Sequence, residues 1–210
     1  AYPTITSVAI NSDNSQISVT FSEAVYNSIE SPSSLEKSDF ALSVSSGVAT
    51  LSSGTPTSIS RSGNVYTLGF SLSGTPDGDE ILKVVPVDDG IYDAVGNEAS
   101  TVQNNNTKNL NDKLAPTISS IALSSDNSSV AVTISEAVYN TNGGSGDLEK
   151  SDFALSVSSG VATLSSGTPT SISKSGNVYT LGIGLASPGS GVETITTVSY
   201  THLTPADERS

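Results

Sequence analysis

The chain has 210 residues, carries a formal net charge of −13 and contains no cysteine. An acidic surface repels the phosphate backbone of nucleic acids and anionic membrane surfaces, so we expect no nucleic-acid partner. Without cysteine there is neither a disulfide nor a thiolate metal site. No apolar run reaches the roughly 20 residues that a membrane-spanning helix needs, so we expect no membrane insertion. These features are typical of a secreted protein.

The first half of the chain consists of short runs in which apolar and polar residues alternate. Ile17, Val19 and Phe21 alternate with polar residues, and the same period of two recurs from Tyr66 to Leu72. This period predicts strands with one buried and one exposed face. Residues typical of turns separate the runs, at 12–14, 62–64 and 74–78.

Two further segments complete the predicted elements of the first half. The segment from Leu35 to Phe40 predicts one helical turn before a strand, and the polar stretch 104–112 predicts a last strand. No segment has the periodicity of a longer helix. Because short strands at this spacing are typical of a sandwich, the sequence predicts an all-β fold.

A repeat relates the two halves of the chain, with an offset of 113 residues that takes Leu35 to Leu148. Residues 35–69 return as 148–182 with one change, from Arg61 to Lys174. Near-identical modules in tandem mainly set the length of an array. We therefore predict two tandem immunoglobulin-like β-sandwich modules, at residues 1–112 and 113–196.

The second copy departs from the first after Ile195. It has no counterpart of Asp88–Asn97 and no last strand, so we predict that the second module is incomplete at its C-terminus. A sandwich without an edge strand exposes backbone groups and part of its core. The second module should therefore be less stable than the first, or borrow a strand from another chain.

The tail at 197–210 has two interpretations. Residues 197–203 resemble the translated end of a transposon used in sequencing libraries, which indicates sequence that is not native to the protein. The alternative is a genuine strand, since Val-Ser-Tyr-Thr is also typical strand sequence.

Four short motifs carry a family resemblance: Phe-Ser-Glu-Ala-Val at 21–25, Ser-Asp-Phe at 38–40, Ile-Tyr-Asp-Ala-Val-Gly-Asn at 91–97 and Ala-Pro-Thr-Ile at 115–118. Through them, residues 3–195 resemble the bacterial immunoglobulin-like repeats of large adhesins, surface-layer proteins and swimming-motility proteins. The second copy lacks the third motif and has Ile134 in place of Phe21. The resemblance implies an extracellular spacer or adhesive repeat, often with calcium at loops or module junctions, and no catalysis. Likeness of fold names no ligand.

Oxygen-bearing side chains suggest a calcium site in the first copy, with the candidate ligands Glu23, Asp88, Asp89, Asp93, Asn97 and Asp112. Ca²⁺ takes six to eight oxygen ligands from carboxylates, amides and carbonyls. The loop from Asp88 to Glu98 concentrates such oxygens, and we expect Glu23 and Asp112 at the same end of the module. The alternative is a solvated acidic turn, in which Asp93 and Asn97 cap backbone groups.

The sequence does not predict an enzyme. The only histidine is His202, in the tail, so a Ser-His-Asp triad is not expected. No glycine-rich phosphate loop precedes a helix.

Three functions are compatible with the sequence. The first is a spacer in an extracellular bacterial surface protein, with neighbouring repeats as partners and calcium as a stiffening ion. The second is an adhesive module that holds a surface glycan or protein through the loops 27–34 and 140–147, which differ most between the copies. The third is a filament subunit that self-assembles by strand donation.

Overall fold

The structure, a computed structural model, describes residues 1–28, 33–141, 144–199 and 204–205. It divides into two compact units, Ala1–Lys113 and Leu114–Ser210. Nearly all the regular structure is antiparallel β-sheet, which confirms the predicted all-β class. Within the described part of the chain, no helix is long and apolar enough to cross a membrane.

The strands of the first unit alternate buried and exposed side chains, as the period of two predicts. They are β1 (Ile5–Ile10), β2 (Gln16–Phe21), β3 (Phe40–Ser45), β4 (Thr50–Leu51), β5 (Ser58–Ser62), β6 (Val65–Gly69), β7 (Leu72–Ser73), β8 (Ile81–Pro86) and β9 (Thr107–Asn109). β9 confirms the last strand that was predicted within 104–112.

The first unit is a sandwich of two sheets. One has the strand order β1-β2-β6-β5 and the other β3-β8-β9, while β4 and β7 form a short pair. The ring centroid of Phe40, on β3, lies 6.2 Å from that of Phe21 and 6.0 Å from that of Tyr66, both on the first sheet. The two sheets therefore pack face to face around one apolar core.

The helical turn predicted before β3 is a 3₁₀ turn at Lys37–Asp39. The backbone N–H of Glu36 donates to the Asp39 carboxylate at 2.7 Å, and the Glu36 side chain accepts in return from the backbone of Asp39. This reciprocal cap satisfies backbone N–H groups that the short turn leaves without a partner. The same arrangement recurs at Lys150–Asp152.

The second unit repeats the central strands of the first. Its strands are β10 (Ile118–Leu123), β11 (Ser129–Ile134), β12 (Val138–Tyr139), β13 (Phe153–Ser158), β14 (Ile172–Ser175), β15 (Val178–Gly182), β16 (Thr194–Ser199) and β17 (Thr204–Pro205). One sheet has the order β10-β11-β15-β14, and the pairs β13-β16 and β12-β17 lie apart from it. Phe153 packs on Tyr179 with the ring centroids 5.6 Å apart. Ile134 stands where the first unit has Phe21, so the ring cluster is smaller.

β16 crosses the predicted module boundary at residue 196. It pairs with β13 from Ser158↔Thr194 to Phe153↔Ser199, in the register that β8 and β3 have in the first unit. Thr197 takes the core position of Val84, and its hydroxyl is buried without a hydrogen-bond partner. A buried hydroxyl without a partner destabilises a core. The start of the tail therefore forms a strand, but its Thr197 side chain suits the core less well than the valine in the first unit. Residues 200–203 and 206–210, including His202, lie outside the described part.

Candidate functional site

The acidic loop at 88–98 follows β8 and is fixed to the rest of the first unit by backbone hydrogen bonds. The N–H of Val87 donates to the carbonyl of Asp39, and Tyr26 and Tyr92 exchange two hydrogen bonds of 2.8 Å. Glu23 is half-buried and lies three residues before Tyr26. The structure therefore places Glu23 and the acidic loop at the same end of the first unit.

Asp93 and Asn97 form a closed hydrogen-bonded turn within this loop. One oxygen of the Asp93 carboxylate accepts from the backbone N–H groups of Val95, at 2.9 Å, and Asn97, at 2.8 Å. The other oxygen accepts from the side-chain amide of Asn97 at 2.7 Å. The pKa of Asp93 is lowered, mainly because the Asn97 side chain donates to the charged form. This carboxylate is therefore already stabilised by protein donors.

The remaining acidic side chains of the loop surround Tyr92. The backbone N–H of Asp89 donates to the Glu98 carboxylate at 2.7 Å, and the Tyr92 hydroxyl donates to Asp89 at 3.3 Å. Loss of solvent raises the pKa of Tyr92, and the nearby charges of Asp89, Glu98 and Asp88 raise it further. Asp89 adopts a φ of 56°, a backbone conformation that Asp tolerates better than most residues. Asp88 itself is exposed.

Asp112 lies at the other end of the first unit. Because β9 runs antiparallel to β8, the residues after β9 return to the point where β8 began, and Asp112 lies against Gly78. Asp88 follows the opposite end of β8, and a strand of six residues spans about 20 Å. The structure therefore does not bring Asp112 together with the acidic loop.

The described residues contain no group of three or more Asp, Glu, His or Cys side chains that is arranged to hold a metal ion. Asp93 and Asn97 direct their side chains at each other and at the backbone, which is the geometry of a capped turn. The calcium site stays a prediction, and of its candidate ligands Glu23, Asp88, Asp89, Asp93 and Asn97 lie at this end of the unit.

Asparagine side chains clamp the segment that directly follows β9 in the first unit. The Asn14 side chain donates to the carbonyl of Asn111 at 2.7 Å and accepts from its N–H at 2.9 Å. The Asn111 side chain donates to the carbonyl of Asn11 at 2.9 Å. Next to it Leu110 is buried in the core, with 1% of its surface exposed. Asn14 was predicted as a turn residue, which its φ of 57° supports, but its role as a clamp was not foreseen.

A buried carboxylate holds the neighbouring turns of the first unit. Glu80 is 0% exposed and accepts from the backbone N–H groups of Val48, at 3.0 Å, and Ala49, at 2.7 Å. Burial raises the pKa of Glu80, but these hydrogen bonds outweigh it and the pKa lies below its usual value. Glu193 accepts from Val161 and Ala162 in the same way in the second unit. This pair of glutamates was not predicted, although Glu80 recurs as Glu193 at the same offset between unlike neighbours.

The variable loops proposed to bind a glycan or protein are only partly described. Residues 29–32 of the loop 27–34 and residues 142–143 of the loop 140–147 lie outside the described part. In the described remainder, the Ser33 hydroxyl donates to the Asn27 side chain at 2.6 Å. Lys174 forms an ion pair of 3.2 Å with Asp147. Both contacts lie on the surface. The first joins two residues of the loop 27–34, and the second holds the loop 140–147 to β14 of the same unit.

Comparison of the sequence with protein-family models and with curated proteins, and of the structure with solved structures, found no match.

Proposed function

We propose that the chain is a pair of immunoglobulin-like spacer modules from an extracellular bacterial surface protein. The supporting observation is the path of the chain through the first unit. The N–H of Ile5, at the start of β1, donates to the Gln103 side chain at 2.8 Å. Asn111 lies beside Asn11 and Asn14, just beyond the other end of β1. The chain therefore enters the unit at one end and leaves it at the opposite end, about 20 Å away along a six-residue strand.

This path suits a spacer because each module adds its own length to an array. Residues 35–69 and 148–182 differ at one position, so this part of the two modules offers the same surface twice, as in an array of repeats. Calcium at the acidic loop is a further part of the proposal. An ion that binds only the folded state stabilises it by about 2.7 kcal/mol at one hundred times its dissociation constant.

Small-angle X-ray scattering on tandem chains tests the spacer function. Chains with one, two and four copies of residues 1–113 should increase in maximum dimension by a constant step of at least about 20 Å per copy. A compact body with the length of four copies has a radius of gyration of only about 22 Å. A four-copy chain near that value contradicts a spacer. Saturable binding of the same chains on a glycan array favours the adhesive alternative.

A further inference from the structure

The first and last strands of the first unit lie next to each other and run in the same direction. β1 is an edge strand of one sheet and β9 an edge strand of the other, and the two strands are in contact. β1 starts at the end where the chain enters the unit, beside Gln103. Both strands lead to the end where the chain leaves it, because Asn11 after β1 meets Asn111 after β9. We call these the entry end and the exit end.

Tension on the two ends of this unit therefore acts along its terminal strands. It draws β1 toward the entry end against β2, and β9 toward the exit end against β8. The hydrogen bonds of an antiparallel ladder are perpendicular to the strands, so tension of this direction loads the bonds of a ladder together. β1 pairs with β2 from Ile5 to Ile10, whereas β9 pairs with β8 only from Thr107 to Asn109. The ladder of β9 is therefore the weaker of the two.

The asparagine clamp, formed by Asn11, Asn14 and Asn111, reinforces this weaker strand. The backbone N–H and the side-chain amide of Asn111 both donate to the side-chain oxygen of Asn14 at 2.9 Å. The Asn14 amide donates to the carbonyl of Asn111 at 2.7 Å, and the Asn111 amide donates to the carbonyl of Asn11 at 2.9 Å. Asn14 is only 4% exposed, so water has little access to replace these bonds as they stretch.

The clamp gives tension a short path through the unit. From the entry end the path follows β1 to Asn11, crosses the clamp to Asn111 and leaves at Lys113. Asn11 and Asn111 are 100 positions apart in sequence, so the clamp joins the two ends of the unit without passing through the residues between them. On the exit side the path is anchored by Leu110, which is 1% exposed, and by the N–H of Lys113, which donates to the carbonyl of Pro76 at 2.8 Å.

We propose that the first unit bears tension along the chain, and that the asparagine clamp limits how fast the unit unfolds under that tension. The unit can lengthen only if the segment after β9 separates from the end of β1, so the clamp must break before either terminal strand moves far. The proposal deepens the spacer function and rests on it, because a spacer that is attached at both ends transmits any force that acts on them.

Resistance of this kind depends on the direction of pulling. The turn at 62–64 lies at the entry end, because the N–H of Phe21 donates to the carbonyl of Asn64 at 3.0 Å and Phe21 pairs with Ile5. β1 and β5 are the opposite edges of their sheet. Tension between the N-terminus and this turn therefore acts across the sheet. It opens the ladder of β1 and β2 one hydrogen bond after another and does not load the clamp.

Optical tweezers on the full 210-residue chain test this dependence on direction. Because the sequence contains no cysteine, two introduced cysteines define where the handles attach and leave the second unit free of tension. Ala1→Cys with Lys113→Cys pulls along the strands, whereas Ala1→Cys with Ser62→Cys pulls across the sheet, and all three positions are exposed. At the same constant force, unfolding along the strands should be at least about tenfold slower than unfolding across the sheet.

Two variants test the clamp itself. Asn14→Gly removes three of its four hydrogen bonds and suits the positive φ. Unfolding along the strands should become about tenfold faster at the same force, whereas unfolding across the sheet should keep its rate. Asn111→Ala removes the two bonds that its side chain donates and should speed unfolding along the strands several-fold.

Tyr66→Phe is the matched control. It removes a buried hydrogen bond of 3.2 Å from the Tyr66 hydroxyl to the carbonyl of Val25, which does not involve a terminal strand. It should lower the stability of the unit at equilibrium, because the carbonyl loses its donor, and leave the unfolding rate along the strands nearly unchanged.

Three results overturn the proposal. They are equal unfolding rates in the two directions, an unchanged rate along the strands in Asn14→Gly, and a Tyr66→Phe variant that unfolds along the strands as fast as Asn14→Gly. Scattering from the tandem chains separates this failure from a failure of the spacer function. A constant increase in length per copy, together with equal unfolding rates in the two directions, keeps the spacer and removes the role of the clamp.

Discussion

The two units share their central strands but differ in how the sandwich is closed. In the first unit β9 extends the β3-β8 sheet, and Leu110 after it fills the core. Among the described residues of the second unit, β13 and β16 form a sheet of two strands. The near-identical segments therefore form the same central strands in both units, while the strands that flank them differ.

Equivalent core positions are more exposed to solvent in the second unit than in the first. Ile5 is 2% exposed and Leu82 0% exposed, whereas their counterparts Ile118 and Ile195 are only partly buried. Each apolar side chain that stays exposed to solvent loses part of the roughly 25 cal/mol per Å² that its burial would contribute to stability. The second unit should unfold at a lower denaturant concentration than the first.

The largest expected effect follows from opening the first unit at Leu110. Leu110→Ala removes a buried side chain and leaves a cavity, so the first unit should lose about 2–5 kcal/mol of unfolding free energy. Urea unfolding of the full chain should then show the first-unit transition moving toward that of the second. Val95→Ala, at an exposed position, should change the unfolding free energy by less than about 0.5 kcal/mol. An unchanged midpoint in Leu110→Ala contradicts the role given to the last strand.

The exchange of Val84 and Thr197 tests the same comparison from inside the core. Val84→Thr places an unpaired hydroxyl at a fully buried position and should cost the first unit about 1–3 kcal/mol. Thr197→Val removes such a hydroxyl and should stabilise the second unit by about 1 kcal/mol. A lower urea midpoint of the first unit in Val84→Thr and a higher midpoint of the second unit in Thr197→Val support the shared register of β8 and β16. Shifts of the same sign contradict it.

The clamp asparagines should respond differently although their sequence context is shared. Asn14→Gly keeps the turn but removes three hydrogen bonds to Asn111, so the first unit should lose about 1–2 kcal/mol. Asn127→Gly should change the second unit by less than about 0.5 kcal/mol, because its side chain is exposed. Thermal unfolding of both variants measures the difference. Similar losses of stability in the two variants indicate that the asparagine stabilises its own turn and that the clamp on Asn111 contributes little.

The buried Glu80 and the partly exposed Glu193 should make their units sensitive to acid. Backbone donors hold the pKa of Glu80 below its usual value of 4.5 despite burial, and hydrogen bonds from Ser190 lower the pKa of Glu193 further. A carboxylate with a depressed pKa stabilises the fold above its unfolded pKa, and this contribution is lost as the pH falls through the folded pKa. The melting temperatures of both units should therefore decrease as the pH falls below about 4.5. In the second unit this decrease should continue to lower pH, because the pKa of Glu193 is lowered further.

The variants Glu80→Gln and Glu193→Gln assign this acid response. Each should flatten the pH profile of its own unit below about pH 4.5 in thermal unfolding, while the profile of the other unit is kept. If the melting temperature of the variant unit falls with pH as steeply as in the unchanged chain, other carboxylates dominate the acid sensitivity of that unit.

The sequence predicted local structure better than the contacts that close the fold. Alternation placed β2 and β6 correctly, because a period of two directly records which face is buried. The pattern of polar residues at 104–112 predicted the last strand but not the clamp of Asn14 on Asn111. That contact joins residues 97 positions apart, and a hairpin turn explains Asn14 equally well from sequence alone. Asp112 was expected beside the acidic loop because the direction in which β9 runs was unknown.

The acidic loop gives the smallest expected effect and separates a structural carboxylate from a metal ligand. Asp93→Ala should lower the melting temperature of the first unit by several degrees in calcium and in chelator alike, because Asp93 accepts three hydrogen bonds within the turn. Loss of Asp93 is thus no test of calcium. Exposed Asp88 is the better test, since Asp88→Ala should leave the melting temperature in chelator unchanged. If calcium raises the melting temperature of the first unit and this rise disappears in Asp88→Ala, the loop holds a metal site. If the melting temperatures in calcium and in chelator are equal, the loop is only a capped turn. The second unit has no counterpart of this loop in its sequence, so any calcium response should be confined to the first.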